Sequence, residues 1–253
     1  LFLDSMAGFC PTDPLALDAP AIPFVVAVRT GRPPRRVAYA ETIGQSPVDK
    51  ETREICRAAM KTFEALGAAV EEIRIDIPDV EDTFLALRSQ QFVIDRELQL
   101  QSHRDQIKPD IIWNTEIGLK QSISDLAAAE RSRTALYRQF ADLFNQYDLI
   151  VTPGANTPAF DVDLRHPELI NGVKLEHYMA ASTLTAAITL SASPALSLPC
   201  GFDQYERPIG LQVVGRTRGE AELLAACALY ERESGLAKQI PIDPRAGTVP
   251  PVD

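Results

Sequence analysis

The chain is poor in the residues that build metal sites and disulfide frameworks. It contains four cysteines and three histidines in 253 residues, and no Cys-x-x-Cys pair. Cys10, Cys56, Cys200 and Cys227 are spaced too widely to indicate either a zinc site or a disulfide framework. The histidines are too scattered for a metal site. We therefore expect no metal, no cofactor and a reducing, cytoplasmic location.

Long apolar runs are also missing. No stretch approaches the roughly 20 apolar residues of a membrane span, and the first residues lack the basic region and cleavage site of a signal peptide. The net charge of −10 would repel nucleic acids and anionic membrane surfaces, so we expect neither as a partner. A composition of 45% hydrophobic and 24% charged residues is ordinary for a globular protein.

The sequence motifs of nucleophilic catalysis are absent as well. There is no Gly-x-Ser-x-Gly elbow, no Gly/Ser-rich loop and no Ser-x-x-Lys. Gly215 and Gly219 precede a helix, but no lysine follows as a phosphate-binding loop requires, so we expect a helix cap there. Cys200, with His177 upstream, leaves two interpretations open: a catalytic thiol–imidazole pair, or an inert buried cysteine.

Alternating and helical patterns predict a βαβ unit near the N-terminus. Residues 36–40 are strand-like, and Val70, Ile73, Ile75 and Ile77 predict a second strand. Between them lies a helix that Asp49 or Ser46 can cap and that Gly67 ends. A strand, helix and strand within about forty residues imply parallel strands with a crossover helix.

Further along, the pattern predicts an α/β fold. Helices are expected over residues 80–107 and 124–147, a buried strand over 147–153, and a helix of small residues over 176–190. The first of these helices places four apolar residues on one face: Phe84, Leu87, Ile94 and Leu98. We expect one α/β domain over residues 1–253, a mixed β-sheet flanked by helices on both faces, with a frayed tail at Ala246–Asp253.

The most informative stretch lies near the C-terminus. Residues 194–202 and 208–215 predict two strands joined by a polar turn, and Thr217-x-x-Glu220 then predicts a capping box that opens a helix. Taken with the βαβ unit and the Tyr-Asp-Leu-Ile-Val-Thr-Pro strand at 147–153, this order resembles the C-terminal half of the amidase signature family. The resemblance covers essentially the whole chain.

The resemblance implies amide hydrolysis with a Ser–cis-Ser–Lys triad. In that family the triad lies nearer the N-terminus, and residues 1–8 resemble the end of the helix that follows the catalytic loop. We therefore assign no catalytic residue. The expected function is that of the C-terminal portion of an amidase that converts a carboxylic acid amide to the acid plus ammonia or an amine, and that is inactive without its N-terminal half.

Two alternatives stay open at this point. One is a non-catalytic binding or assembly module of the same fold, and the other is a thiol hydrolase that uses Cys200. For the leading interpretation, the expected partners are a small-molecule amide in the complete enzyme and the N-terminal half of the amidase. A homo-oligomer is expected too, because an isolated half would leave a strand edge and an apolar patch uncovered.

Two regions match the family's substrate pocket. One is Trp113-Asn114-x-Glu116-x-Gly118, predicted as a loop, and the other is the small-residue helix with Ser182 and Thr185. The resemblance thus assigns substrate binding to four residues: Trp113, Asn114, Ser182 and Thr185. The alternative is structural: the tryptophan anchors a core, while the two hydroxyl residues pack closely and bond back to their own helix.

The resemblance also bears on the substrate. Members that transfer the amide of glutamine carry an aspartate near the Ser182 position, where it can bind a free α-amino group. This chain has no carboxylate over residues 178–197. The departure favours a less polar amide, such as an aryl or aliphatic one.

Overall fold

A computed structural model describes residues 2–236, which fold around one five-stranded sheet. The predicted tail at Ala246–Asp253 and part of the predicted single domain lie outside this range. The strands are β1 (Arg36–Tyr39), β2 (Ala69–Glu72), β3 (Leu149–Pro153), β4 (Leu169–Ile170), β5 (Val173–Lys174), β6 (Ala195–Phe202) and β7 (Pro208–Val214). The large sheet has the order β2-β1-β3-β7-β6, and β4 and β5 form a separate pair.

The sheet is mixed. Strand β1 runs parallel to both β2 and β3, whereas β7 is antiparallel to β3 and β6 is antiparallel to β7. The helices are α1 (Phe2–Met6), α2 (Phe24–Thr30), α3 (Lys50–Ala65), α4 (Val80–His103), α5 (Pro109–Lys120), α6 (Ile123–Leu143), α7 (Thr183–Leu190) and α8 (Glu220–Ser234). Short 3-10 segments occupy Arg104–Gln106 and Tyr178–Ser182.

Helices cover both faces of the sheet. Because side chains alternate along a strand, Ala38 of β1 lies in one apolar cluster, with residues of α6 and α7. Its neighbours Val37 and Tyr39 lie in the other cluster, with residues of α3 and α8. The predicted mixed sheet with helices on both faces is therefore confirmed. Among the helices of residues 2–236, none is both long and apolar enough to cross a membrane.

The βαβ unit forms as predicted, with a shorter second strand. Asp49 caps α3, since its carboxylate accepts a hydrogen bond from the Thr52 backbone nitrogen at 3.0 Å. Ser46 instead bonds elsewhere, its hydroxyl lying 2.7 Å from an asparagine amide nitrogen. Strand β2 ends at Glu72, and beyond it only Ile75 forms an isolated bridge, with Ile43.

The prediction for the apolar face of α4 is half wrong. Phe84 and Leu87 pack against the core, but Ile94 and Leu98 are 69% and 78% exposed. The helix also ends at His103, four residues earlier than expected. A helix of this length is about 36 Å long, and it packs most extensively against α5.

Two helix starts differ from the sequence prediction. The segment predicted as one helix over 176–190 begins as a 3-10 turn and becomes α-helical only at Thr183. Helix α8 has Gly219 as its N-cap and no side-chain capping bond, so the predicted capping box from Thr217 is wrong. The cause lies in the backbone, because Arg218 adopts a left-handed conformation with φ of 63° and turns the chain into the helix.

The C-terminal hairpin is confirmed. Strand β6 pairs with β7 from Ala195 opposite Val214 to Phe202 opposite Pro208. In the connecting turn, the buried carboxylate of Asp203 accepts a hydrogen bond from the Arg207 backbone nitrogen at 2.8 Å. This hairpin makes β6 the last strand at one edge of the sheet, directly after α7.

Candidate functional site

The first predicted site region lies on a helix. Trp113 and Asn114 belong to α5, so the prediction of a loop is wrong. Pro109 starts this helix at a position where its missing N–H costs nothing. Gly118 is needed for packing, because a Cβ there would lie 2.4 Å from the carbonyl oxygen of Ser89 on α4. Close helix packing, which a single sequence does not reveal, thus explains the glycine.

Asn114 joins α5 to the 3-10 segment. It is fully buried, and its Nδ2 donates to the Asp110 carbonyl oxygen and to Tyr178 Oη, each at 2.7 Å. The Asp110 carbonyl fixes the orientation of the amide, since it can accept only from the nitrogen. The Oδ1 atom of Asn114 is buried without a hydrogen-bond partner among the described residues.

The Tyr178 hydroxyl is therefore left with a hydrogen to donate. Its oxygen accepts from Asn114, and no acceptor for its own hydrogen is found in residues 2–236. The side chain is half-buried, with one side held against α5. This arrangement makes Tyr178 a fixed hydrogen-bond donor at a partly open surface.

Aromatic rings surround this donor. The half-buried Trp113 ring lies 5.2 Å from the His177 ring and 5.9 Å from the Tyr178 ring, between centroids. His177 Nε2 lies 3.1 Å from a carboxylate oxygen of Glu81 in the first turn of α4. Sequence reasoning missed His177, Tyr178 and Glu81 as neighbours of Trp113, because they are far away in the chain and carry no local motif.

The second predicted region forms an exposed polar stripe. Tyr178, Ser182 and Thr185 are half-buried or exposed, while residues 183, 184, 186 and 187 are buried. Thr185 Oγ1 donates to the Ser182 carbonyl oxygen at 2.9 Å. The expected bond back to its own helix is thus present, but Thr185 is exposed and does not mediate close packing.

The structure brings the two predicted regions together at one point. Asn114 and Trp113 meet the 3-10 segment at Tyr178, while Ser182 ends that segment and Thr185 lies in the first turn of α7. No hydrogen bond joins the two predicted pairs directly within the described residues. Their assignment to substrate binding stays a prediction.

An acidic cleft adjoins this region. It has a volume of about 530 Å³, and its lining includes Glu81 together with Ala180 and Thr183. Several other carboxylates line it: Asp76, Asp79, Asp82 and Glu176. Within residues 2–236, no group of three or more His, Cys, Asp or Glu side chains is arranged to hold a metal ion.

The thiol–imidazole pair is not formed. Cys200 donates to the Ile209 carbonyl oxygen at 3.3 Å and lies beside Cys56, whereas His177 contacts Glu81 and Trp113. The contact with Cys200, together with burial, raises the pKa of the Cys56 thiol far above its ordinary value. A thiol hydrolase that uses Cys200 and His177 therefore finds no support in the geometry.

Comparison with known proteins identifies the family. The profile of the family described as Amidase matches residues 1–224, so the chain belongs to the amidase family. It is similar to an acylamidase of Rhodococcus erythropolis, with 26% identity over 96% of this chain and 51% of that protein. It is also similar to a glutamyl-tRNA(Gln) amidotransferase component from Shouchella clausii, with 26% identity over 94% of this chain and 53% of that protein.

Solved structures confirm the fold. A bacterial aryl acylamidase of the amidase signature enzymes superimposes with a TM-score of 0.79 at 22% sequence identity, covering 91% of this chain and 50% of that one. The amidase signature resemblance and the mixed α/β fold are thus both confirmed. The chain spans about half the length of the curated relatives that it matches.

Proposed function

We propose that this chain is the C-terminal portion of an amidase that hydrolyses a carboxylic acid amide to the acid plus ammonia or an amine, and that it is inactive without its N-terminal half. One observation carries the proposal: the family match extends over residues 1–224, yet the chain corresponds to only about half of each relative. Amide hydrolysis needs a nucleophile, a base and an oxyanion site together. The predicted triad belongs to the other half.

The contribution of this chain is one wall of the pocket. Trp113 and Tyr178 supply ring surface, and the Tyr178 hydroxyl is positioned to donate a hydrogen bond to a carbonyl oxygen. Ser182 and Thr185 extend this wall with small polar side chains. Apolar surface with a few placed polar groups is typical of small-molecule sites.

A long uncharged surface supports docking of the N-terminal half. Residues 178–202 contain no charged side chain, although several of them are exposed: Thr185, Thr189, Ala192, Ala195, Ser197 and Pro199. The segment includes β6, which is an edge strand within the described part of the chain. Uncharged exposed surface beside an open strand edge is a common feature of interfaces.

The site favours an aryl or aliphatic amide over glutamine. Ser182 is neutral at the position where the resemblance places an aspartate in glutamine-specific members. Glu81 does bring a carboxylate close to the site, and it lies outside the carboxylate-free residues 178–197. That carboxylate, however, contacts His177. The exposed part of Trp113 offers ring surface to an acyl or aryl group.

Substrate preference tests the proposal. The chain joined to its N-terminal half in one polypeptide should hydrolyse acyl anilides with a higher kcat/KM than glutamine, measured by release of aniline and of ammonia. A preference for glutamine would contradict the substrate class. A complete protein without turnover on any amide would favour the alternative of a non-catalytic assembly module.

A further inference from the structure

Two cysteines from distant parts of the sequence lie side by side. Cys56 on α3 and Cys200 on β6 are 144 positions apart, and their Sγ atoms are 3.9 Å apart. Cys56 is fully buried, whereas Cys200 is half-buried. All four cysteines of the chain are free thiols in this structure. The fold thus creates a dithiol that the spacing of the cysteines in the sequence does not suggest.

The local backbone explains why the two sulfurs meet. Pro199 pairs with Gly210 and Gly201 pairs with Ile209, so Cys200 is the extra residue of a β-bulge. Gly201 permits close approach to α3, because a Cβ there would lie 2.9 Å from Ile55 Cγ2. A bulged residue has no cross-strand partner, so Cys200 can adjust without loss of a paired position.

We propose that Cys56 and Cys200 form a covalent modification site, at which a low-molecular-weight disulfide such as oxidised glutathione generates an intramolecular disulfide. A disulfide bond is about 2.05 Å long, so the two sulfurs have to approach by about 1.8 Å from their present separation. Side-chain rotation and the bulge provide this movement. The bond fastens the edge strand β6 to α3.

The reaction proceeds by two thiol–disulfide exchanges. The Cys200 thiolate attacks one sulfur of the oxidant RSSR, forms a mixed disulfide and releases RS⁻. The Cys56 thiol gives its proton to the first RS⁻, and its sulfur attacks Cys200 Sγ and expels the second RS⁻, which takes up from water the proton that Cys200 lost on forming its thiolate. The two protein thiols lose two electrons in total, and the oxidant is reduced to two molecules of RSH.

Cys200 reacts first because it is the accessible member of the pair. Cys56 is fully buried and its thiol holds its proton tightly, so a bulky oxidant does not reach it directly. The other two cysteines serve as controls. Cys10 is exposed, with Thr12 Oγ1 3.2 Å from its sulfur, and Cys227 is buried on α8, where desolvation raises its pKa to about 12.

The test uses the full chain carrying Cys10→Ala, which removes the exposed thiol. Oxidised glutathione should reduce the number of free thiols from three to one, measured by alkylation after denaturation. Mass spectrometry of non-reduced peptides should show Cys56 linked to Cys200, and Tm should rise until dithiothreitol restores the thiols. Adding Cys227→Ala should leave this reaction unchanged.

Single substitutions of the pair separate the two steps. Cys56→Ala should stop the reaction at a glutathione adduct on Cys200, and Cys200→Ala should leave Cys56 unmodified. Circular dichroism of each variant checks that it is folded. Three free thiols after prolonged oxidation of the Cys10→Ala chain would overturn the proposal. A stable glutathione adduct on Cys200 beside an intact Cys56 would overturn it equally.

Discussion

The two edges of the sheet differ in length and in charge. At one edge, β2 is four residues long and ends in Glu71 and Glu72. Ion pairs cover this side: Arg36 bonds Glu71 at 3.2 Å, and Arg57 bridges Glu72 and Glu41. At the other edge, β6 is eight residues long and belongs to the uncharged segment 178–202.

The difference indicates which edge is suited to pairing with a further strand. Short, charged edge strands resist pairing with other chains, whereas long uncharged ones invite it. The Gly215 backbone nitrogen donates to the Pro194 carbonyl, so the alternating ladder directs residues 195, 197 and 199 outward. Pro199 has no N–H, which leaves Ala195 and Ser197 as the outward donors. Ala195 and Ser197 of β6 therefore offer the backbone groups that a further strand could pair with.

Removal of one outward donor should break assembly at the β6 edge. We expect Ser197→Pro to weaken association with the N-terminal half by at least about tenfold. The variant removes the backbone N–H that would bond across the interface, and the proline ring also changes the shape of the strand edge. Isothermal titration calorimetry measures this. In the isolated chain the same variant should shift self-association toward monomer by light scattering.

Glu72→Pro is the matched control on the opposite edge. The nitrogens of Ala69 and Ile73 donate toward β1, so the Glu72 nitrogen points outward. This variant should leave both association and self-association unchanged. A wild-type chain that is a monodisperse monomer at micromolar concentration, without apolar surface accessible to a dye, would count against an exposed interface.

Trp113→Ala should separate a pocket residue from a core residue. Because Trp113 is half-buried, we expect a changed ranking of amide substrates in the complete enzyme and a stability loss below the roughly 3–5 kcal/mol of a core aromatic. Phe63→Ala is the control, since Phe63 is fully buried against Tyr230. The Phe63→Ala variant should lose about 3–5 kcal/mol of stability and keep the wild-type ranking of amide substrates. Chemical denaturation and kcat/KM values measure the two effects.

The opposite result would return Trp113 to the core. A large fall in Tm together with an equal loss of activity on every substrate is the outcome that contradicts a pocket role.

Tyr178→Phe tests the fixed donor. Loss of one hydrogen bond of about 0.5–1.5 kcal/mol should raise KM for anilides by about two- to twelvefold in the complete enzyme, with the ring contact to Trp113 retained. Trp113 is the only tryptophan, so its fluorescence reports directly whether the site keeps its structure. Tyr137→Phe, on the exposed face of α6, should have no effect. An unchanged KM for Tyr178→Phe would show that its hydroxyl does not bind the substrate.

The smallest effect is expected on the ion-paired side. Arg57→Ala removes both of its ion pairs, but the side chain is 47% exposed. Exposed ion pairs contribute about 1 kcal/mol or less, so Tm should change little and association with the N-terminal half should not change. A loss of association would show that the β2 side is also an interface.

Sequence patterns predicted those parts of the fold that buried apolar residues and local cap signals specify. All five residues of β3 are buried, and the hairpin and βαβ unit carry clear strand and cap signals. The predicted loop at Trp113 failed because its helix depends on packing of Gly118 against α4, a contact between distant segments.

The site was predicted only in part, for the same reason. Trp113, Asn114, Ser182 and Thr185 could be proposed from a resemblance, but the contact that joins the two regions is the bond between Asn114 and Tyr178, across 64 positions. The pairing of Glu81 with His177 and of Cys56 with Cys200 likewise depends on the folded chain. No local periodicity encodes such contacts.

Whether this chain is one half of an amidase is decided by turnover of a chromogenic anilide by the purified chain, alone and after mixing with its separately expressed N-terminal half. A complete amidase accelerates a reaction that is extremely slow in water, so the difference spans many orders of magnitude. We expect no turnover by either part and turnover after mixing. Robust hydrolysis by this chain alone would contradict the proposed division of the enzyme.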